Sequence, residues 1–361
     1  MKINRYVIAI SIIVLVVFIA INCTSKRHKP NMKTTHVDCD GGQSLAAIVA
    51  QSQKYTRIVV RGGTCQDDEP VVVTRDNIVI EGNGAVFDGR KSTHPMIIVK
   101  AKNVVIRDLT VTKGKYGIVI ENGATAVLKN VNANGNSGSG IVVGRAMRLP
   151  SPQQNPQQNP TGTKPITLNQ STDNPLSAFF NRSSFDMRFV KEARADSNAC
   201  HCLEQVFPDL VNVAFATLCG TVNANDNGDN GFYVNSNSTL EMCGIVNANN
   251  TSIDFEQQHG LTVQSGSVVN IHTNATLLAQ RNASHGIQVI VDDSKLKLLG
   301  MGQLTSNNNQ ENGLFIGIDD SDESAVECSS DQMGQLTLLS NGEVAVGGNA
   351  EEIEIPCWES E

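Results

Sequence analysis

One short pattern returns five times between residues 219 and 346, and it limits the folds that this chain can adopt. Each copy is a glycine followed by alternating apolar residues. The copies are Gly231-Phe232-Tyr233-Val234, Gly260-Leu261-Thr262-Val263, Gly286-Ile287-Gln288-Val289, Gly313-Leu314-Phe315-Ile316 and the weaker Gly342-Glu343-Val344-Ala345-Val346. Successive glycines are 29, 26, 27 and 29 residues apart, and two earlier copies begin at Gly117 and Gly140. A period of roughly 20–50 residues indicates a repeat architecture.

Each period holds two further runs of alternating residues. One run begins with a serine, as at Ser238 and Ser267. The other occurs in two nearly identical copies, which begin at Cys219 and Cys243. Three short strands per period, with polar turns and without helices, predict an all-β protein that is a parallel β-helix. Propeller blades need about 40–45 residues each, and sandwiches lack this register, so both are disfavoured.

Stacked coils should bring equivalent polar residues into ladders. Strands in neighbouring coils lie roughly 4.8 Å apart. Asn223 and Asn247 occupy one position of the two nearly identical copies, and Asn225 and Asn249 occupy another. Asparagine amides can bond to one another and tolerate left-handed backbone. The two pairs are therefore predicted to form ladders at a corner of the coil.

The first part of the chain resembles a known superfamily. A helical face of Leu45, Ile48 and Val49 is followed by strands and by the turns Gly62-Gly-Thr and Gly82-Asn-Gly84. This opening resembles that of pectate-lyase-like right-handed β-helix proteins, in which a short N-terminal capping helix covers the first coil. The resemblance covers residues 37–145 and 211–347. It implies the fold more than an activity, because the superfamily includes lyases, hydrolases, epimerases and non-enzymes.

These features divide the chain into six segments. They are a signal peptide (1–22), a tether (23–36), the cap and first coils (37–144), a Pro/Gln/Asn-rich insertion (145–210), further coils (211–347) and an acidic tail (348–361). The insertion has no apolar periodicity in its proline-rich part. It is expected to be a loop excursion that packs on the coils, or alternatively a lid or partner-binding arm.

The N-terminus indicates export. Lys2 and Arg5 precede an apolar run from Val7 to Ile21, shortly before Cys23, and a run of this length is typical of a signal peptide. The end of the run resembles the lipobox of bacterial lipoproteins, in which the cysteine is acylated and becomes the new N-terminus. Lipidation of Cys23 would anchor the protein in the bacterial cell envelope, at the outer membrane or cell surface. Cleavage without lipid and an uncleaved anchor are the alternatives.

Eight cysteines remain besides Cys23, and an even number favours disulfides in an exported chain. The candidate pairs are Cys39 with Cys65, Cys219 with Cys243, and Cys328 with Cys357. The first pair flanks the predicted helix and its following strand, and the last would tie the tail to the final coil. The middle pair shares one register in adjacent coils, so it either forms a bridge or is a ladder of buried thiols.

Two pairs of acidic residues should stack at one corner. Asp292-Asp293 and Asp319-Asp320 each lie six and seven residues after a repeat glycine. Carboxylates stacked about 5 Å apart repel one another unless they are solvated, protonated or bridged by a cation. A solvated turn used twice is the simpler interpretation. A calcium site is the functional interpretation, since Ca²⁺ prefers oxygen ligands. A pair of catalytic carboxylates is a third alternative.

The second residues after the repeat glycines define a face that points out of the coil. They are Val119, Val142, Tyr233, Thr262, Gln288 and Phe315, and none of them is charged. A lyase needs a base and a group that neutralises a carboxylate, and a hydrolase needs two carboxylates. Tyr233, Thr262, Gln288 and Phe315 instead suit weak binding of a sugar chain or a protein.

The predicted function is therefore that of a non-catalytic, lipid-anchored surface β-helix that binds carbohydrate or a protein partner. A polysaccharide lyase or glycoside hydrolase acting on an acidic polysaccharide is the alternative, and a purely structural envelope protein is a third. The net charge of −8 disfavours nucleic acid as a partner. His259 and His285 directly precede repeat glycines, where other coils have Asn230 and Asn312. The two histidines are expected to serve the turn and not to transfer protons.

Overall fold

The computed structural model describes residues 32–61, 63–145, 213–251, 258–291, 293–318, 326–328, 335–338, 341 and 346–348. These residues form one helix, α1 (Leu45–Gln51), and 25 strands. The strands are β1 (Lys33–Asp38), β2 (Thr56–Arg61), β3 (Thr64–Cys65), β4 (Val71–Val73), β5 (Ile78–Asp88), β6 (Pro95–Val99), β7 (Val104–Thr112), β8 (Tyr116–Ile120), β9 (Thr125–Ala133), β10 (Ile141–Val143), β11 (Phe215–Cys219), β12 (Thr221–Asn223), β13 (Phe232–Val234), β14 (Thr239–Met242), β15 (Ile245–Asn247), β16 (Leu261–Val263), β17 (Val268–Ile271), β18 (Thr276–Leu278), β19 (Ile287–Val291), β20 (Lys295–Leu298), β21 (Gln303–Thr305), β22 (Leu314–Ile318), β23 (Val326–Cys328), β24 (Gln335–Thr337) and β25 (Val346–Gly348).

The strands pair in parallel in two sheets. One sheet has nine strands, in the order β25-β22-β19-β16-β13-β10-β8-β6-β4. The other has sixteen strands, and its long strands β5, β7 and β9 cover a width that two short strands share in the later coils. Each later coil therefore contributes one strand to the nine-stranded sheet and two to the sixteen-stranded sheet. This is the predicted right-handed parallel β-helix.

The interior is a set of apolar ladders. The first residue after each repeat glycine points inward, and these residues stack in register and are fully buried: Ile118, Ile141, Phe232, Leu261, Ile287 and Leu314. Period-2 alternation places every second side chain of a strand on one face, which here faces the interior. These stacked residues form an inward ladder along the axis of the coils.

The repeat glycines are required by close approach of neighbouring backbones. A Cβ atom on Gly260 would lie 2.6 Å from the carbonyl oxygen of Ala248 and 2.6 Å from that of Gly286. Any side chain at this position would have to displace two backbone segments. Glycine therefore recurs at this point of each coil because the turn leaves no room for a Cβ atom.

The predicted asparagine ladders are present at a corner of the sixteen-stranded sheet. The Asn247 side-chain amide donates to Oδ1 of Asn223 at 2.6 Å. The backbone N–H of Asn249 donates to Oδ1 of Asn225 at 3.0 Å. Since each amide bonds to the next coil, the ladders satisfy polar groups that the turns would otherwise leave unpaired.

The helix caps the first coil and is fastened by a disulfide. Ser44 caps α1, because its Oγ accepts the backbone N–H of Ala47 at 3.0 Å. Leu45 is buried against the coil interior. Cys39 and Cys65 form the predicted disulfide, with their Cα atoms 4.7 Å apart.

The structure bears differently on the other two predicted cysteine pairs. Cys219 and Cys243 both take part in disulfide bonds, so they are not a ladder of free thiols. Cys328 ends β23, but Cys357 lies outside the described residues. The pairing of those two cysteines stays a prediction, as does lipidation of Cys23, which also lies outside the described residues.

Candidate functional site

The outer surface of the nine-stranded sheet carries the predicted ligand face, and the structure corrects its extent. Tyr233 and Thr262 point away from the interior as expected, yet they are only 4% and 3% exposed. Tyr233 packs in an outer cluster with Tyr116, Val119 and Val142, outside the main core. The Thr262 hydroxyl donates to Oδ1 of Asn230 at 3.0 Å. These two residues are therefore part of the packing and not an open surface.

The accessible part of this face lies in the later coils. Gln288 and Phe315 are half-buried and stand opposite each other in neighbouring strands. Gln264 is also half-buried, and Ile290 is 37% exposed. Ile290 pairs with Gly317, which has no side chain that could cover it. We call Gln264, Gln288, Ile290 and Phe315 the ligand patch.

The residue before each repeat glycine builds a hydrogen-bonded ladder. Oδ1 of Asn230 accepts the backbone N–H of His259 at 3.3 Å. Nδ1 of His259 accepts the backbone N–H of His285 at 3.2 Å, and Nδ1 of His285 accepts that of Asn312 at 3.3 Å. Imidazole Nδ1 thus replaces an amide oxygen in the same role. The histidines support the turn, as the sequence predicts.

The two imidazole rings are also stacked. The His259 and His285 ring centroids are 5.0 Å apart, and the His285 ring stacks on Phe315 at 4.4 Å. Burial, together with the neighbouring His285, lowers the pKa of His259 to about 3. His259 is therefore neutral at physiological pH, and its buried Nε2 has no hydrogen-bond partner among the described residues.

The sequence pattern did not point to a half-buried carboxylate on this side of the protein, that of Asp229. The Ser139 hydroxyl donates to Oδ2 of Asp229 at 3.1 Å, and the Asn230 side-chain amide donates to Oδ1 at 3.1 Å. Burial raises the pKa of Asp229, while the positive charge of Lys115 opposes that shift. Asp229 lies two residues before Gly231, and Lys115 lies two residues before Gly117. Extending the repeat comparison two residues upstream of the glycine would have found both.

Two phenols lie close to this carboxylate. Burial raises the pKa of Tyr116, and the charge of Asp229 adds to the effect. Burial also raises the pKa of Tyr233, whose hydroxyl accepts a hydrogen bond from Gln264. Both phenols are therefore protonated at neutral pH, so they can donate protons but do not serve as bases there.

The predicted acidic corner is described only in part. Asp293 is exposed and has a left-handed backbone, with φ of 60°. Asp292, Asp319 and Asp320 lie outside the described residues, so the calcium site stays a prediction. Within the described ranges, three or more His, Cys, Asp or Glu side chains do not come together as a metal site. The helix in those ranges is too short to cross a membrane.

No protein-family model and no curated protein matches this chain. Solved structures with a similar course include alginate lyase from Paenibacillus sp. str. FPU-7, at 12% identity and a TM-score of 0.40 over 88% of this chain and 99% of that one. Pectate lyase Pel9A matches at 11% identity and a TM-score of 0.41 over 89% and 79%. The A-module of the Azotobacter vinelandii mannuronan C-5 epimerase AlgE4 matches at 10% identity and a TM-score of 0.34 over 89% and 87%.

Proposed function

We propose that this protein is an exported, lipid-anchored β-helix of the bacterial cell envelope that binds a carbohydrate chain, or alternatively a partner protein, without catalysing a reaction. The observation that best supports this proposal is that the outer face of the nine-stranded sheet has an accessible part and a part that is packed. Its accessible part, the ligand patch, presents amides and apolar groups, whereas His259 is buried, and Asp229 is half-buried and held by hydrogen bonds from Ser139 and Asn230.

The chemistry of the ligand patch suits a sugar chain. A glutamine amide offers both donors and an acceptor to sugar hydroxyls. Ile290 and the edge of Phe315 offer apolar surface to the C–H groups of a sugar ring. Because neighbouring coils are roughly 4.8 Å apart, a chain lying along the axis meets Gln288 and Phe315 in succession. Gln264 lies one coil earlier, directly after Val263, which pairs with Val289, the residue before Ile290.

The ligand patch makes a testable prediction. Gln288→Ala should weaken binding of a glycan selected from an array by roughly tenfold, because it removes up to two hydrogen bonds of about 0.5–1.5 kcal/mol each. Gln303→Ala is the matched control, since Gln303 is exposed on the sixteen-stranded sheet. Calorimetry on the parental protein and both variants gives the comparison. Equal affinities for all three proteins would show that the ligand patch is not the binding surface.

A polysaccharide lyase acting on an acidic polysaccharide is the second candidate. It is favoured by Lys115 and Asp229 next to the phenols of Tyr116 and Tyr233. A lysine can neutralise a substrate carboxylate, and a phenol can protonate a leaving oxygen. We expect a panel of acidic polysaccharides, tested with and without calcium, to yield no unsaturated product. Product formation that Tyr233→Phe abolishes would instead establish the lyase.

The anchor is tested separately in cells. Radiolabelled palmitate should be incorporated into the native chain and lost in Cys23→Ala, because the thiol of Cys23 is the acceptor that the N-terminal pattern predicts. Loss of the label should be complete and not graded. Incorporation that persists in the variant would rule out Cys23 as the lipidated residue.

A further inference from the structure

Four cationic side chains gather at the corner that leads from the sixteen-stranded sheet to the nine-stranded sheet. They are Arg90, Lys91, Lys113 and Lys115, and we call them the basic corner. The first two follow β5 and the other two follow β7, so they belong to neighbouring coils. The Lys115 backbone N–H donates to the carbonyl oxygen of His94 at 2.9 Å, which joins the two turns. Arg90, Lys91 and Lys113 are exposed.

The basic corner keeps a positive charge after its ion pair is counted. Lys113 Nζ lies 2.7 Å from Oδ2 of Asp88, which neutralises one of the four cations. The Arg90 guanidinium bonds to the neutral side chain of Gln66. Lys115 lies over the ring of Tyr116 and interacts with the partly buried Asp229. Arg90 and Lys91 therefore present charge to the surroundings.

The backbone at this corner is unusual for long side chains. Arg90, Lys91 and Lys113 have φ angles of 52°, 69° and 60°. The left-handed region is costly for residues other than glycine and asparagine. In the following coils the turn that contains Lys113 has Gly135 and Asp226, at φ of 64° and 54°. At the Lys113 position, a basic residue thus stands where the following coils have a small or a short polar one.

Charge is also distributed unevenly along the chain, with a net positive charge in the early coils and a net negative charge in the later coils. Residues 37–144 contain 12 basic and 10 acidic residues, whereas residues 211–347 contain 3 basic and 15 acidic residues. An anionic surface would therefore repel the later coils and attract the early ones. The field of the molecule would turn the basic corner toward such a surface.

We infer that the basic corner docks on anionic lipid headgroups of the membrane that carries the protein, an inference that rests on the proposed lipid anchor. The nine residues from 24 to 32 span about 30 Å at most when extended. This length keeps the first coils close to a membrane that holds Cys23. Anionic headgroups attract cations within a Debye length of about 10 Å, and each lysine or arginine near the surface strengthens binding about fivefold.

Lysine labelling of the full chain tests this inference. The chain is reconstituted into vesicles of phosphatidylcholine, with and without phosphatidylglycerol, and treated with a membrane-impermeant amine reagent. Labelling of Lys91 and Lys113, read by peptide mass spectrometry, should slow about fivefold when phosphatidylglycerol is present, and high salt should restore it. Lys54 and Lys100 serve as internal controls, because they are exposed elsewhere and make comparable surface ion pairs.

A variant pair separates a local site from net charge. Arg90→Gln with Lys91→Gln should abolish the protection of Lys113, whereas Lys54→Gln with Lys100→Gln removes equal charge and should preserve it. Equal labelling in both vesicle types, equal slowing at all lysines, or protection by a soluble acidic polysaccharide instead of phosphatidylglycerol would overturn the inference. Failure of the anchor is seen separately, because the chain would then not sediment with phosphatidylcholine vesicles.

Discussion

Replacing Ile287 with alanine is expected to lower the free energy of unfolding by about 2–5 kcal/mol. Ile287 is fully buried and stacks between Leu261 and Leu314 of the neighbouring coils. The truncation leaves a cavity that both neighbours border, and the glycine before it limits relaxation of the turn. Urea denaturation of the disulfide-bonded chain, followed by circular dichroism, measures the loss.

Gln288 is the matched control for this prediction. It is the next residue of the same strand, and its side chain points to the opposite face and is half-buried. Gln288→Ala should therefore change the free energy of unfolding by less than about 0.5 kcal/mol. A loss at Gln288 as large as that at Ile287 would mean that the alternation assigned to β19 is wrong.

The fold was predictable because the sequence repeats with two periods, one of two residues within a strand and one of a whole coil. Period-2 alternation identifies the inward residues such as Phe232 and Ile287, and the near-constant spacing of glycines sets their stacking. The nearly identical runs around Asn223 and Asn247 fixed the ladder in advance, because equal positions of stacked coils must meet. The disulfide of Cys39 with Cys65 followed from their places on either side of α1.

The candidate site was less predictable, because alternation gives the direction of a side chain but not what packs on it. Tyr233 and Thr262 point outward as expected, yet neighbouring groups bury one and hydrogen-bond the other. Asp229 and Lys115 are 114 residues apart in sequence and interact through stacked coils. A search confined to the second residue after each glycine does not include either of them.

The second large effect concerns acid stability. The pKa of His259 is about 3 in the folded protein, below the value of about 6.5 expected in the unfolded chain. The unfolded chain therefore binds more protons than the folded protein between these two values. Above about pH 6.5, His259 does not lower the free energy of unfolding. As the pH decreases from 6.5 toward 3, proton uptake by His259 in the unfolded chain lowers the free energy of unfolding by at most about 1.4 kcal/mol per pH unit.

The surroundings of His259 allow its titration to be separated from that of other groups by a single substitution. Its ring faces His285, whose Nδ1 lies 3.3 Å from the Glu311 carboxylate, and its backbone N–H bonds to Asn230. Asparagine already performs the same ladder role at Asn230. His259→Asn therefore preserves an acceptor for the backbone N–H of His285 and removes the titrating group. Paired carboxylates also contribute to acid sensitivity, but the parental protein and the variant share them.

We therefore expect the free energy of unfolding of the parental protein to fall by about 2–3 kcal/mol more than that of His259→Asn between pH 6.5 and 4.5. Urea midpoints at both pH values, converted with a common slope, give the comparison. His94→Asn is the control, because His94 is exposed in the turn before β6 and its loss should leave the acid sensitivity unchanged. If His259→Asn is as acid-sensitive as the parental protein, His259 binds its proton equally well in both states. The buried, neutral state of the His259 imidazole would then not hold in solution.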